Sequence, residues 1–93
     1  MADLIEDGRL RTWLEGREWE LRDGGLERDR VFADFSAAVS FVTAVAGLAE
    51  AQGHHPDIAL HDLNHVRLRL VTHSAGGVTE NDTELAERVD ELQ

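Results

Sequence analysis

The chain has 93 residues, no cysteine and a formal net charge of -10. This length predicts one domain over residues 1–93 with a modest core, and the lack of cysteine excludes disulfides and thiolate metal sites. A charge this negative argues against a nucleic-acid partner, because nucleic-acid binding depends on cations that contact phosphate.

The N-terminal residues and the longest uncharged stretch predict where the protein resides. The start of the chain is acidic and has no apolar core, so we expect no signal peptide. The uncharged stretch from Phe35 to Ala49 is rich in alanine, serine and threonine, and it is too short and too mild to span a bilayer. We therefore expect a cytoplasmic protein with no membrane partner.

The first segments of the chain predict a helix and then a strand. Residues 3–15 place apolar side chains at loose helical spacing, and Trp13 is expected to anchor the helix in the core or at its rim. Residues 17–22 then alternate in polarity, which predicts a strand with Trp19 and Leu21 on one face.

A turn and a returning strand complete the first predicted hairpin. Asp23-Gly24-Gly25 is a strong turn signal, and residues 26–32 follow as the second strand. Arg28 and Arg30 fall on the same face of that strand as apolar side chains. This mixture predicts an edge strand or a face that is only partly covered.

The next segment predicts a long central helix. Asp34 or Ser36 can cap its start, and the helical pattern runs to about Gln52. Apolar or small residues occupy nearly all sides of this helix as far as Ala49, and a helix of that kind is usually buried on nearly all sides. We expect it to lie across a sheet, with part of it against a partner subunit.

A second hairpin and a last helix follow the central helix. Ile58 and Leu60 mark one strand, residues 62–64 the turn, and alternate residues of the returning strand face the core: Val66, Leu68 and Leu70. Arg67 and Arg69 are expected on a solvated face, and His73 continues their parity.

The order of the elements predicts the fold class. Thr79 begins the last helix, whose buried stripe comprises Leu85, Val89 and Leu92, and Asp82 is either its capping group or part of a site. The order helix–strand–strand–helix–strand–strand–helix predicts an α+β fold, with a four-stranded antiparallel sheet and helices packed on one face.

Histidines and carboxylates cluster at the ends of these predicted elements. His54 and His55 follow the central helix, and Pro56 biases His55 towards extended angles, so the helix should end by about Gly53. Taken alone, such a pair is more often an exposed loop than a site. A zinc site that also includes His73 is possible by ligand type, but adjacent residues rarely point at one ion.

The spacing of these residues resembles the pterin-4a-carbinolamine dehydratase family. The resemblance rests on Glu50-x-x-x-His54-His55-Pro56, then Thr72-His73, Gly76-Gly77-Val78-Thr79 and Asp82, and it covers roughly residues 13–92. It implies a dimer or tetramer that removes water from 4a-hydroxytetrahydropterin to give quinonoid dihydropterin in tetrahydropterin recycling. It also implies that neither a metal nor a redox cofactor takes part.

The resemblance also implies roles for individual residues. His54 and His73 would be the acid and base, because an imidazole both gives and takes a proton near neutral pH. His55 would complete the catalytic set by positioning the substrate, and the substrate-binding set would be Glu50, Pro56 and Asp82. His61 and His65 lie outside the pattern and are expected to be solvated.

One departure from the family pattern keeps other functions open. The family usually has an aromatic residue ten positions before the second-motif histidine, where this chain has Leu63. Its loss would weaken stacking on the flat pterin. Two alternatives are a protein of the same fold that acts as an assembly or dimerisation factor for a partner, and a pterin-binding module without turnover.

Overall fold

A computed structural model of the chain describes residues 2–92 and confirms the predicted α+β class. Three helices and four strands alternate in the predicted order. Their bounds are α1 Asp7–Leu14, β1 Glu20–Arg22, β2 Gly25–Val31, α2 Phe35–Gln52, β3 Asp57–His61, β4 His65–Leu70 and α3 Glu80–Asp90. The helices cover one face of the sheet and leave the other face open.

The sheet has the order β1-β2-β4-β3, and all of its strands are antiparallel. β2 is therefore an interior strand, and the edge-strand interpretation of its mixed pattern is wrong. Arg28 reaches Asp90 with its Nη1 2.5 Å from Oδ1, while Arg30 lies 5.0 Å from the centroid of the Phe32 ring. Because long arginine stems pack on apolar surface while their charged heads find partners, both residues are tolerated on the helix-covered face.

The first hairpin has the tight turn that its sequence predicts. Arg22 pairs with Gly25, and the two residues between them have positive φ angles of 47° at Asp23 and 78° at Gly24. A two-residue turn with both φ values positive matches the right-handed twist of the flanking strands. Leu21 pairs with Leu26 yet remains 50% exposed, because β1 forms the sheet edge.

Helix α2 is buried on one side only. Its N-terminus is capped by the Asp34 carboxylate, which accepts from the Ala37 amide at 2.8 Å, and its inner face packs Phe41 and Val45 into the core. Phe35 and Val39 on other sides are 52% and 39% exposed, so burial on nearly all sides is wrong for a single chain. The helix runs three residues beyond Ala49, so by length and composition alone it is long and apolar enough to cross a membrane, which corrects the expectation that it is too short; its inner face packs into the core of the domain.

The core lies between β4, α2 and α3, as the periodicity predicts. The inward side chains of β4 are at most 1% exposed, and Leu85 and Val89 of α3 are fully buried. The start of the first helix was predicted wrongly, since α1 begins at Asp7 rather than at residue 3. Ahead of it, Ile5 donates its amide to the Val78 carbonyl at 2.9 Å, so these residues are extended against the start of α3.

Candidate active site

Asp82 is a fully buried carboxylate in the first turn of α3. Thr79 caps this helix, and its backbone amide donates to Asp82 Oδ2 at 2.9 Å, which completes a capping box. The sequence left open whether Asp82 is a cap or part of a site. The structure shows the capping role, and the same carboxylate also contacts His54.

A chain of hydroxyl groups supports the Asp82 carboxylate. Thr72 Oγ1 donates to Asp82 Oδ2 at 2.8 Å and lies 2.7 Å from Thr79 Oγ1. The Thr72 hydroxyl has a single proton and donates it to the carboxylate. Thr79 must therefore donate to Thr72, so the hydrogen bonds run from Thr79 to Thr72 to Asp82. All three residues are buried, so these hydrogen bonds fix the position of Asp82 without help from bulk water.

His54 binds the second oxygen of the Asp82 carboxylate. Gly53 ends α2 in the left-handed conformation at φ 71°, and this brings the chain round so that the His54 imidazole points inward. Its Nε2 lies 2.5 Å from Asp82 Oδ1, and its side chain is 14% exposed. With Asp82 ionised, the carboxylate only accepts, so Nε2 carries the proton and Nδ1 has the free lone pair.

His55 points the opposite way from its neighbour. Its Nε2 forms a close contact with Glu50 Oε2, and both side chains are largely exposed. Pro56 follows, half-buried, and leads directly into β3. The two adjacent histidines therefore bind different carboxylates, His54 the buried Asp82 and His55 the exposed Glu50.

His73 begins the turn that follows β4 and is exposed. Thr72 accepts the Gly76 amide at its carbonyl at 3.0 Å and donates its own amide to Gly77, so the turn closes tightly beneath His73. The structure gives His73 no side-chain hydrogen bond to His54 within residues 2–92. It joins the candidate site through its neighbour Thr72, whose hydroxyl binds Asp82.

Two polar residues of this region were given no role from the sequence. Thr72 shares the inward parity of Leu68 and Leu70, so a hydroxyl at a buried position of the strand was the available signal. Gln52 donates from Nε2 to the Asn81 carbonyl at 2.7 Å and thereby ties the end of α2 to the start of α3. No sequence pattern distinguishes that long-range contact.

Leu63 lies far from this candidate site in the same chain. It occupies the turn between β3 and β4, at φ 74°, and is 66% exposed. The five residues of β3 separate this turn from Pro56 by roughly 15 Å at the usual rise of a strand. Leu63 therefore does not line the part of the candidate site that His54 and Asp82 form in its own chain.

The remaining histidines form a separate pair. His61 and His65 face each other across β3 and β4 and are partly buried rather than fully solvated as expected. Across residues 2–92 no group of three or more His, Asp or Glu side chains is placed to enclose a metal ion. His54, His55 and His73 do not form such a group among these residues.

Comparison with known proteins gives a consistent family. Residues 3–92 match the family model described as pterin 4 alpha carbinolamine dehydratase. A Chloroflexus aggregans protein, provisionally named pterin-4-alpha-carbinolamine dehydratase, is 50% identical over 93 residues, covering 99% of this chain and 98% of the relative. A Chloroflexus aurantiacus protein with the same provisional name is 52% identical over 75 residues, covering 81% and 80%.

Solved structures agree with the sequence comparison. A transcriptional coactivator/pterin dehydratase from Brucella melitensis superposes with a TM-score of 0.87 at 31% identity, covering 95% of this chain and 96% of that one. A pterin dehydratase-like protein described as a RuBisCO assembly factor in the alpha-carboxysome reaches 0.61 at 26% identity, covering 77% and 82%. The chain therefore belongs to the pterin 4 alpha carbinolamine dehydratase family, a family of hydro-lyases.

Proposed function

We propose that this protein dehydrates 4a-hydroxytetrahydropterin to quinonoid dihydropterin and water in tetrahydropterin recycling. The observation that carries the proposal is the buried Asp82 carboxylate 2.5 Å from Nε2 of His54, in a chain of this family. A fixed carboxylate behind an imidazole sets its tautomer and its orientation, and this is how proteins prepare a histidine for proton transfer.

The reaction needs two proton movements and no electron transfer. A proton must reach the leaving hydroxyl so that the carbon–oxygen bond breaks to release water, and a ring nitrogen of the pterin must lose a proton as the new double bond forms. The oxidation level of the substrate is unchanged overall, so the reaction needs no redox cofactor. Groups that exchange protons near neutral pH are sufficient, and imidazoles are the side chains suited to this.

In the proposed assignment His54 and His73 share these proton transfers. His54 acts through Nδ1, because its Nε2 is engaged with Asp82. His73 stands exposed on the turn whose first residue, Thr72, binds the same carboxylate. His54 and the residue that precedes His73 therefore bind the same buried carboxylate, and on this ground we assign both imidazoles to one substrate.

His55, Glu50 and Pro56 are proposed to bind the substrate. The contact between His55 and Glu50 holds two polar side chains on the exposed side of the α2 C-terminus, where a pterin ring edge would find a donor and an acceptor. Pro56 fixes the backbone that carries both histidines. Asp82 orients His54 and is fully buried, so we assign it a positioning role rather than direct contact with substrate.

A matched pair of variants tests the assignment of His54. His54→Gln removes the titrating group and is expected to lower kcat by about a hundredfold or more, the usual worth of a positioned acid or base. His61→Gln, at the far end of β3, is the control and is expected to leave kcat unchanged. Equal kcat values for His54→Gln and the wild-type protein would contradict the assignment.

The proposal extends to the whole molecule. Residues 1–93 are proposed to act as one soluble cytoplasmic domain that assembles as a homodimer or homotetramer. The support for assembly is the outer face of α2, where Phe35 and Val39 are exposed on a helix that carries no charge between Phe35 and Ala49. Such a surface is poorly suited to permanent contact with water in a protein with a net charge of -10.

The same exposed face supports the second candidate, a partner-binding assembly factor. The dehydratase-like RuBisCO assembly factor has a related fold, which is the reason to keep this candidate. The two proposals differ in a single readout. A dehydratase accelerates carbinolamine dehydration as a purified protein, whereas an assembly factor without turnover does not.

A further inference from the structure

The tip of the β3–β4 hairpin carries two imidazoles and a carboxylate that the proposed reaction does not use. His61 and His65 are directly opposed in the antiparallel register, so both side chains project from the same face of the sheet. This is the face that the helices leave open. The turn places the tip roughly 15 Å from Pro56, so the group is separate from the candidate active site.

The two rings are spaced as two ligands of one metal ion would be. Their centroids are 5.2 Å apart, with an angle of 35° between the ring planes. At a usual Zn–N distance of about 2.0–2.1 Å, a tetrahedral ion bound by two imidazoles holds the ring centroids roughly 5 Å apart. The strands therefore hold the two rings at the separation that shared coordination of one ion requires.

Asp62 provides the outer carboxylate that metal-binding histidines commonly have. Its Oδ2 lies 2.9 Å from His61 Nδ1, which leaves Nε2 of that ring for an ion. A carboxylate on Nδ1 fixes the ring tautomer and raises the basicity of Nε2.

The charges around the pair do not oppose a cation. Arg67 is the next residue on the same face of β4, and its Nε donates to Asp29 Oδ1 at 2.7 Å, so its charge is neutralised locally. The molecule as a whole carries a net charge of -10, which raises the local concentration of cations.

We propose that His61 and His65 form a surface site for a divalent ion of the zinc class, with Asp62 as the outer carboxylate. Imidazole ligands suit zinc, copper and nickel, whereas calcium and magnesium prefer oxygen. Two protein ligands leave the other coordination positions to water or to a donor from another molecule. The ion would bridge β3 and β4 next to the turn of the hairpin and hold their register.

Zinc titration of the full chain at pH 7.5 tests the site, with calorimetry for stoichiometry and NMR of the histidine ring protons for location. We expect one Zn²⁺ per chain, with shifts confined to His61 and His65. Asp62→Asn should weaken binding about tenfold, as loss of an outer carboxylate usually does. His73→Gln is the control variant and should bind as the wild-type protein does.

Two results would overturn the proposal. One is the absence of zinc binding at millimolar ion concentration. The other is binding that survives in the His61→Gln/His65→Gln double variant, because the ion would then occupy the histidines near Asp82 or the acidic surface. The double variant should also retain the wild-type dehydration rate, and that measurement shows that it is folded.

Discussion

Asp82 is the residue on which the candidate site depends. One oxygen of its carboxylate caps α3 through Thr79 and accepts from Thr72, while the other oxygen binds His54. The helix cap and the orientation of the imidazole are therefore linked in a single buried group. A substitution at this position has to affect stability and activity together.

Asp82→Asn keeps the size of the side chain but replaces one accepting oxygen with a donor. The amide oxygen can still accept from the Thr72 hydroxyl and the Thr79 amide if the NH₂ group faces His54, whose proton must then move to Nδ1 so that Nε2 accepts. The expected loss in the free energy of unfolding is about 1.5–3 kcal/mol, the usual worth of hydrogen bonds to a charged group. Urea denaturation measures this loss, and a variant as stable as the wild-type protein would contradict the described network.

Part of this candidate site was predictable from the sequence. Capping-box spacing identified Thr79 and Asp82, and the resemblance identified His54. The role of Thr72 was missed, because a single hydroxyl at an inward strand position gains its meaning only when α3 is placed beside it. The sequence also did not predict that the His54 side chain points inward and the His55 side chain outward, since two adjacent residues after a helix can point either way.

At the scale of elements, the C-terminus of α2 decides where the histidines lie. Gly53 adopts φ 71° and satisfies the last turn of the helix through its amide, which donates to the Ala49 carbonyl at 2.9 Å. A side chain at this position would be strained in the left-handed region, and His54 follows immediately.

Gly53→Ala tests this role, with Gly47→Ala as the matched control in the same helix. Gly53→Ala is expected to destabilise the protein by about 1 kcal/mol and to lower activity, because it strains the turn into His54. Gly47→Ala should stabilise by about 0.5–1 kcal/mol, since Gly47 is helical and a Cβ there meets no neighbour within 4 Å. Thermal denaturation of both variants gives the comparison, and a destabilised Gly47→Ala beside an unaffected Gly53→Ala would contradict it.

Element boundaries were predictable wherever the signal was local. Asp34 as a cap, Gly53 as a stop and the Asp23-Gly24 turn each act within a few residues of the chain. The start of α1 was misplaced because residues 4 and 5 pair with residues 79 and 78, a contact between distant parts of the sequence. The interior position of β2 likewise depends on its pairing with β4 rather than on its own composition.

At the scale of the whole molecule, the exposed side of α2 is the surface that the fold leaves incomplete. Its uncharged composition predicts burial on nearly all sides, because periodicity cannot distinguish a surface packed in the core from one that contacts a second copy. The fold class itself was predictable, since two hairpins and three helices in this order favour an antiparallel sheet with helices on one face.

Replacing Val39 with aspartate tests whether copies of the chain associate through this side of α2. Val39→Asp places a charge on the outer face and is expected to shift the mass in solution from an oligomer towards the monomer, measured by light scattering. Leu63→Asp is the control. Leu63 is exposed in the turn between β3 and β4 rather than on α2, so this substitution should leave the mass unchanged. A wild-type protein that is already monomeric, or a Val39→Asp variant with unchanged mass, would contradict assembly through α2.

The most direct test of the proposed function is the rate of 4a-hydroxytetrahydropterin dehydration by the purified protein. The account predicts clear acceleration over the spontaneous reaction, lost in the His54→Ala/His73→Ala double variant and kept in His61→Gln. A wild-type rate equal to the spontaneous rate, from protein shown to be folded, would contradict dehydratase activity. Acceleration that persists in the double variant would instead contradict the assignment of the two histidines.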